Sequence, residues 1–145
     1  MKAITLFQPW ASFIAWGWKT IETRTHIKFR HLIAQYIGIH AGKRWDVNWW
    51  LLASEYLTLE QIRITKDLEF RFMQDKESDV RSAIICDVWV SDFDKLNKEH
   101  SESALIDCES ITRFGLFLKD VKLIQPIKIK GHQGAWNYNG EVIYL

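Results

Sequence analysis

A chain of 145 residues, 48% hydrophobic and 26% charged, suits a single α+β domain, residues 1–145, around one core. No stretch approaches the ~20 apolar residues of a membrane span, and the N-terminal apolar run is too short for a signal peptide, so a cytoplasmic protein with no membrane partner is expected. The net charge of +1 hides a division: residues 1–45 carry +6, residues 46–112 carry −8 and residues 113–145 carry +3. Two basic ends that fold together make a positive face.

Taken in chain order, Ala3–Phe7 is a short apolar strand that Gln8-Pro9 ends. Pro9 opens a helix of about two turns, with Trp10, Phe13 and Ile14 at helical spacing and Gly17 as its stop. Thr20–Thr25 is rich in β-formers. Period two places Thr20, Glu22 and Arg24 on one face of that strand and Ile21 and Thr23 on the core side. Leu32–His40 predicts a third strand and Ala41–Arg44 a turn. Val47–Tyr56 predicts a helix capped by Asp46, and Thr58-x-x-Gln61 a capping box that opens another. Ser82–Val90 is the clearest strand. Residues 95–111 are a polar excursion. Phe114–Lys119, Val121–Ile124 and Ile127–Lys130 are extended, and Asn139-Gly140 is a two-residue hairpin signal. Six or more strands with few helices predict a closed or nearly closed sheet.

The candidate site begins where the aromatic helix ends. Gly17-Trp18-Lys19-Thr20-Ile21-Glu22-Thr23-Arg24 sets three charges on a rigid strand beside indoles. Two readings stand: an exposed ion-pair cluster of little energetic worth, or the wall of a ligand cleft in which Lys19 and Arg24 bind phosphate. Trp10 belongs with the core, whereas Trp16 and Trp18 flank the glycine and are the stacking candidates. His40, Lys43 and Arg44 at a strand end, and Lys128, Lys130 and His132 around Gly131, are fair phosphate contacts and equally routine turns. The five histidines have no metal spacing and the two cysteines, Cys86 and Cys108, form no C-x-x-C, so neither a metal nor a cofactor is expected. No Walker loop, G-x-S-x-G, G-x-G-x-x-G or zinc-deaminase motif is present.

These residues resemble the ASCH domain family of the PUA-like superfamily. Gly17-x-Lys19-x-x-Glu22-x-Arg24 matches its G-x-K-x-x-E-x-R signature, preceded by Gln8-Pro9-Trp10-Ala11-Ser12. The strand into His40-Ala41, the strand Ala83–Val90 and the run Pro126–Gly131 ending at Trp136 fit as well. The chain is similar to the C-terminal domains of activating signal cointegrator proteins and to their bacterial and phage relatives. Residues 45–81 and 95–111 carry no part of the resemblance. The resemblance implies a small mixed β-barrel with flanking helices and a cleft near the first helix, lined by Lys19, Glu22 and Arg24.

It further implies binding of RNA or another nucleic acid, or of a nucleoside-like small molecule. Trp16, Trp18, Lys19, Glu22, Arg24, His40, Lys43 and Lys130 are then the expected contacts. Some members of the family look enzymatic, including amidohydrolases acting on acetylated cytidine and ribonucleases. In an enzyme, Lys19 and Glu22 would be catalytic, with Glu22 as general base. The amidohydrolase branch resembles Lys-x-x-Thr, and Glu22 stands where its threonine would be. A third reading makes the acidic middle a protein-docking surface.

Overall fold

The apolar run of the first segment forms β1 (Lys2–Gln8). Pro9 starts α1 (Trp10–Ala15), and Gly17, at φ +79°, takes the left-handed conformation that turns the chain out of the helix. β2 (Ile21–Arg24), β3 (Gln35–Trp45), α2 (Trp49–Ala53) and α3 (Leu59–Gln74) follow. The last begins at the expected Thr58/Gln61 capping box. β4 (Ala83–Lys95), α4 (Ser101–Ala104), β5 (Phe114–Lys128) and β6 (Trp136–Asn137) complete the chain. The computed structural model describes residues 1–145. None of its helices is long and apolar enough to cross a membrane.

The strands make one sheet in the order β2-β5-β4-β3-β1-β6, parallel between β1 and β3 and antiparallel elsewhere. One face packs Ile4, Ile37, Ile39, Ile85 and Val88 against Ala11 and Ile14 of α1. The other face packs Ala3, Ile84 and Ile124 under Trp136, Tyr138 and Val142. A separate apolar cluster joins Phe13 of α1 to Trp45, Trp49, Leu68 and Phe72, so α2 and α3 dock on the outer side of α1.

Four expectations change. The barrel does not close, because β2 and β6 are sheet edges. The C-terminal segment instead pairs with β1 through β6 and touches β5 at the Ile124–Tyr144 bridge. For the same reason no hairpin forms at Asn139-Gly140: the residues on either side bury Tyr138 and Val142 against the sheet rather than against each other. The three extended segments after Phe114 are one strand, β5, with Asp120 in a left-handed conformation inside it.

The predicted turn at Ala41–Arg44 is strand, because β3 continues beside β1. The pairing there is irregular. Leu6 pairs with Ala41 and Gln8 with Trp45, so Phe7 alone faces Gly42, Lys43 and Arg44. Such a bulge re-aims the side chains it carries. The Arg81 guanidinium donates to the Lys43 carbonyl at 2.7 Å and ties the bulge to the start of β4.

Candidate functional site

The Gln8–Ser12 stretch is scaffold. Gln8 is buried; its amide donates to Ser12 Oγ (2.9 Å) and to the Val80 carbonyl (3.0 Å), and its Oε1 accepts from the Ser12 N–H (3.0 Å). This clamps the end of β1, the first turn of α1 and the entry to β4 together.

After Gly17 the chain doubles back, and the N–H groups of Trp18 and Lys19 both donate to the Phe13 carbonyl, at 2.9 and 3.0 Å. That turn sends the Lys19 side chain inward. Lys19 is 2% exposed; its ammonium donates to the Ala104 carbonyl, lies 3.7 Å from Glu22 Oε1 and sits 5.2 Å from the Trp10 ring centroid. Burial pushes its pKa down, and the Glu22 carboxylate opposes that shift. Glu22 is 5% exposed and accepts from the Arg24 guanidinium through Oε2. Arg24 also donates to the Thr23 carbonyl (3.0 Å) and lies 5.0 Å from the Phe29 ring centroid. The space beside this cluster is about 180 Å³, walled by Trp10, Asp46, Leu52 and Ile106.

The strand-face expectation therefore holds at Ile21 and fails beyond it. Ile21 does enter an apolar cluster, with Leu96, Ala104 and Ile106. Glu22, on the face expected to be open, is buried as well, while Thr23 is half-buried. Residues of the excursion between β4 and β5 cover Lys19 and Ile21, and the polar pattern of residues 95–111 did not announce that packing. As placed, Lys19 reaches no external phosphate.

Trp16 and Trp18 lie together, with ring centroids 4.7 Å apart, and Trp18 stacks on Phe13 at 5.7 Å. Both lie on the α1–α2 side and line neither the small space beside Lys19 nor the main cleft. Trp16 remains 38% exposed.

The main cleft, about 890 Å³, lies elsewhere. Arg24 and Lys28 come from the end of β2 and the loop after it, Lys43 and Arg44 from the bulge of β3, and Lys130 from the segment after β5. No carboxylate lines the cleft, and Lys28, Lys43, Arg44 and Lys130 make no ion pair. Phe7, in the bulge and 50% exposed, is the aromatic surface available there. Fixed cations without counter-charges focus a positive potential in the concavity.

His40 forms part of the cleft floor and is 1% exposed. Its Nε2 lies 2.6 Å from the Ile129 carbonyl, which can only accept, so Nε2 carries the proton. Nδ1 is buried without a partner. Burial pushes the His40 pKa down, so the ring is neutral. Gly131 lies across this edge: a Cβ there would come within 2.5 Å of Thr5 Oγ1 and 2.7 Å of His40 Nδ1. The close approach requires glycine.

Of the expected contacts, the cleft gathers Arg24, His40, Lys43 and Lys130; it leaves out Trp16, Trp18, Lys19 and Glu22. Sequence reasoning passed over Phe7, His26, Lys28 and His31. The usable signal was the run His26-Ile27-Lys28-Phe29-Arg30-His31, with four basic or imidazole side chains in six residues and no acid.

No protein-family profile matches the chain, and no curated protein sequence matches it. Solved structures do. The crystal structure of an ASCH protein from Zymomonas mobilis aligns with a TM-score of 0.52 at 14% identity, over 88% of this chain and 72% of that one. Two point variants of the Zymomonas mobilis protein align with TM-scores of 0.51, at 16% and 15% identity, over 88% of this chain and 73% and 74% of theirs. Identity this low speaks for architecture and not for activity. The chain has the ASCH fold.

Proposed function

We propose that this protein is a nucleic-acid-binding domain whose ligand runs through the cleft between the β3 bulge, the loop after β2 and the segment after β5. The observation that carries this reading is the cleft's charge: five cationic side chains, no carboxylate, and four of the five without an ion-pair partner. Phosphates replace the counterions that such a surface condenses, and their release drives binding. Arg24, Lys28, Lys43, Arg44 and Lys130 contact the backbone, and Phe7 offers a face on which an unpaired base stacks. RNA is the favoured polymer because of the resemblance carried by Gly17–Arg24. In this reading Lys19 and Glu22 are anchors: they hold Arg24 and the start of β2 in place from inside.

The hydrolase alternative has less support. A general base needs a carboxylate oxygen free to meet water. Glu22 Oε2 is taken by Arg24 and Oε1 faces Lys19.

The test is the affinity of a labelled single-stranded RNA between about 50 and about 200 mM salt. Affinity falls as salt rises, and the joint variant Lys43→Ala/Arg44→Ala lowers the log–log slope by about 1.4, near 0.7 per lost contact on a single strand. Binding that ignores salt, or that survives the double substitution with its slope intact, contradicts the reading.

A further inference from the structure

Four of the chain's five histidines, His26, His31, His40 and His132, line the one cleft that holds five cations and no carboxylate. Their hydrogen bonds divide them into two pairs. His26 Nδ1 accepts the Lys28 N–H at 3.1 Å, so its proton is on Nε2, and adding a second at Nδ1 breaks that bond. Arg24 and Lys28 add to burial in pushing the His26 pKa down. His40 donates through Nε2 to the Ile129 carbonyl, and its Nδ1 lies buried beneath Gly131. In both rings a second proton is disfavoured.

The other two are built differently. His31 Nδ1 lies 2.8 Å from the Lys28 carbonyl, an acceptor only, so Nδ1 donates and Nε2 is left with a lone pair. This ring can take a proton at Nε2 and lose nothing. His132, exposed on the turn after β5, rests edge-on against Trp136 at 5.3 Å and has no hydrogen bond that fixes either nitrogen. The charged groups that line the cleft with these two rings are all cationic: Arg24 and Lys28 from β2 and its loop, Lys43 and Arg44 from β3, Lys130 from the segment after β5. β1 adds only Thr5 and Phe7, and Ser82 stands before β4. An anion bound among these groups would favour a protonated imidazole, as a nearby opposite charge does.

We propose that His31 and His132 are phosphate contacts that become cationic as the ligand binds, so the cleft takes up a proton at each ring, while His26 and His40 stay neutral. This rests on the reading of the cleft as the phosphate-binding surface. An imidazole whose protonated form the complex favours contributes affinity that is full at low pH and lost as the pH rises. Each unit by which binding raises a histidine's pKa is worth about tenfold in affinity at the acidic end.

The experiment measures the affinity of a labelled single-stranded RNA from about pH 8 to about pH 5.5, with proton uptake read by calorimetry in buffers of different ionisation enthalpy. Affinity is expected to rise on the order of tenfold or more on acidification. His31→Gln and His132→Gln should each remove up to one bound proton, and the double variant nearly all the uptake. His26→Gln, whatever it does to affinity, and His100→Gln outside the cleft should leave the uptake in place. An affinity flat with pH, or uptake that persists in the double variant, overturns the proposal. If binding is flat with pH yet still salt-dependent and weakened by Lys43→Ala/Arg44→Ala, only the proton coupling fails. If those two cations make no difference either, the reading of the cleft fails with it.

Discussion

Lys19 and Lys43 both belong to the basic N-terminal third of the chain, and they occupy opposite situations. Lys19 is buried, bonded to a backbone carbonyl and faced by a carboxylate. Lys43 stands exposed on a strand bulge with no partner. The first cation is committed to holding α1, β2 and the α4 segment together. The second is free to meet an external anion. A dense charged motif can thus mark the scaffold of a site, and the contact surface can lie in less conspicuous residues nearby. Arg24 connects the two regions, since it binds Glu22 inside and lines the cleft outside.

Substitutions separate the two roles. Lys19→Ala removes a buried cation and leaves Glu22 and the Ala104 carbonyl with one partner fewer; it should cost about 3 kcal/mol in chemical denaturation. The variant that still folds should bind RNA within a few-fold of wild type, and a large binding defect at unchanged stability would place Lys19 among the contacts. Lys43→Ala/Arg44→Ala should do the reverse: affinity falls about tenfold or more, with stability changed by about 0.5 kcal/mol or less, as for exposed positions. Phe7→Ala should weaken binding of the labelled RNA by about 1–2 kcal/mol if a base stacks there, whereas Trp16→Ala should leave that affinity unchanged.

The smallest expected effect concerns stability and pH. The folded-state pKa of His40 is pushed below its ordinary value of 6.5, so the unfolded chain takes the proton first. Its contribution is complete above pH 6.5 and is lost as pH falls through the folded value. His26 acts in the same direction. Thermal melts should therefore show stability declining below pH 6.5, and His40→Gln should flatten part of that decline. Acidification then weakens the fold while it tightens RNA binding, a pair of opposite trends that one titration series can check.

Much of the architecture was legible because local signals and packing agree. α1 lies between Pro9 and Gly17, β1 follows its apolar run, and α3 starts at the Thr58/Gln61 box. What was not legible depends on partners distant in sequence. Gly42 in a basic tetrapeptide reads as a turn, yet β1 holds the segment as strand. Asn139-Gly140 reads as a hairpin, yet Trp136 and Val142 find apolar partners on the sheet. The candidate site divides along the same line. The motif drew attention to Arg24 and the basic tetrapeptide to Lys43, and both line the cleft. That Lys19 is sealed by Ala104 follows from a polar stretch folding back 85 residues later, which no local pattern encodes. Phe7 lay unremarked in the apolar run Ala3–Phe7, and it is exposed where the pairing of β1 with β3 becomes irregular.

The most direct test of the account is chemical-shift mapping of the backbone amides as a short single-stranded RNA is added. The account predicts that the large shifts fall on residues 5–7, 24–31, 40–44 and 130–135, with little change at residues 16–19 and 104–106. Shifts concentrated on the Trp16–Lys19 turn, with the β3 bulge silent, would contradict it.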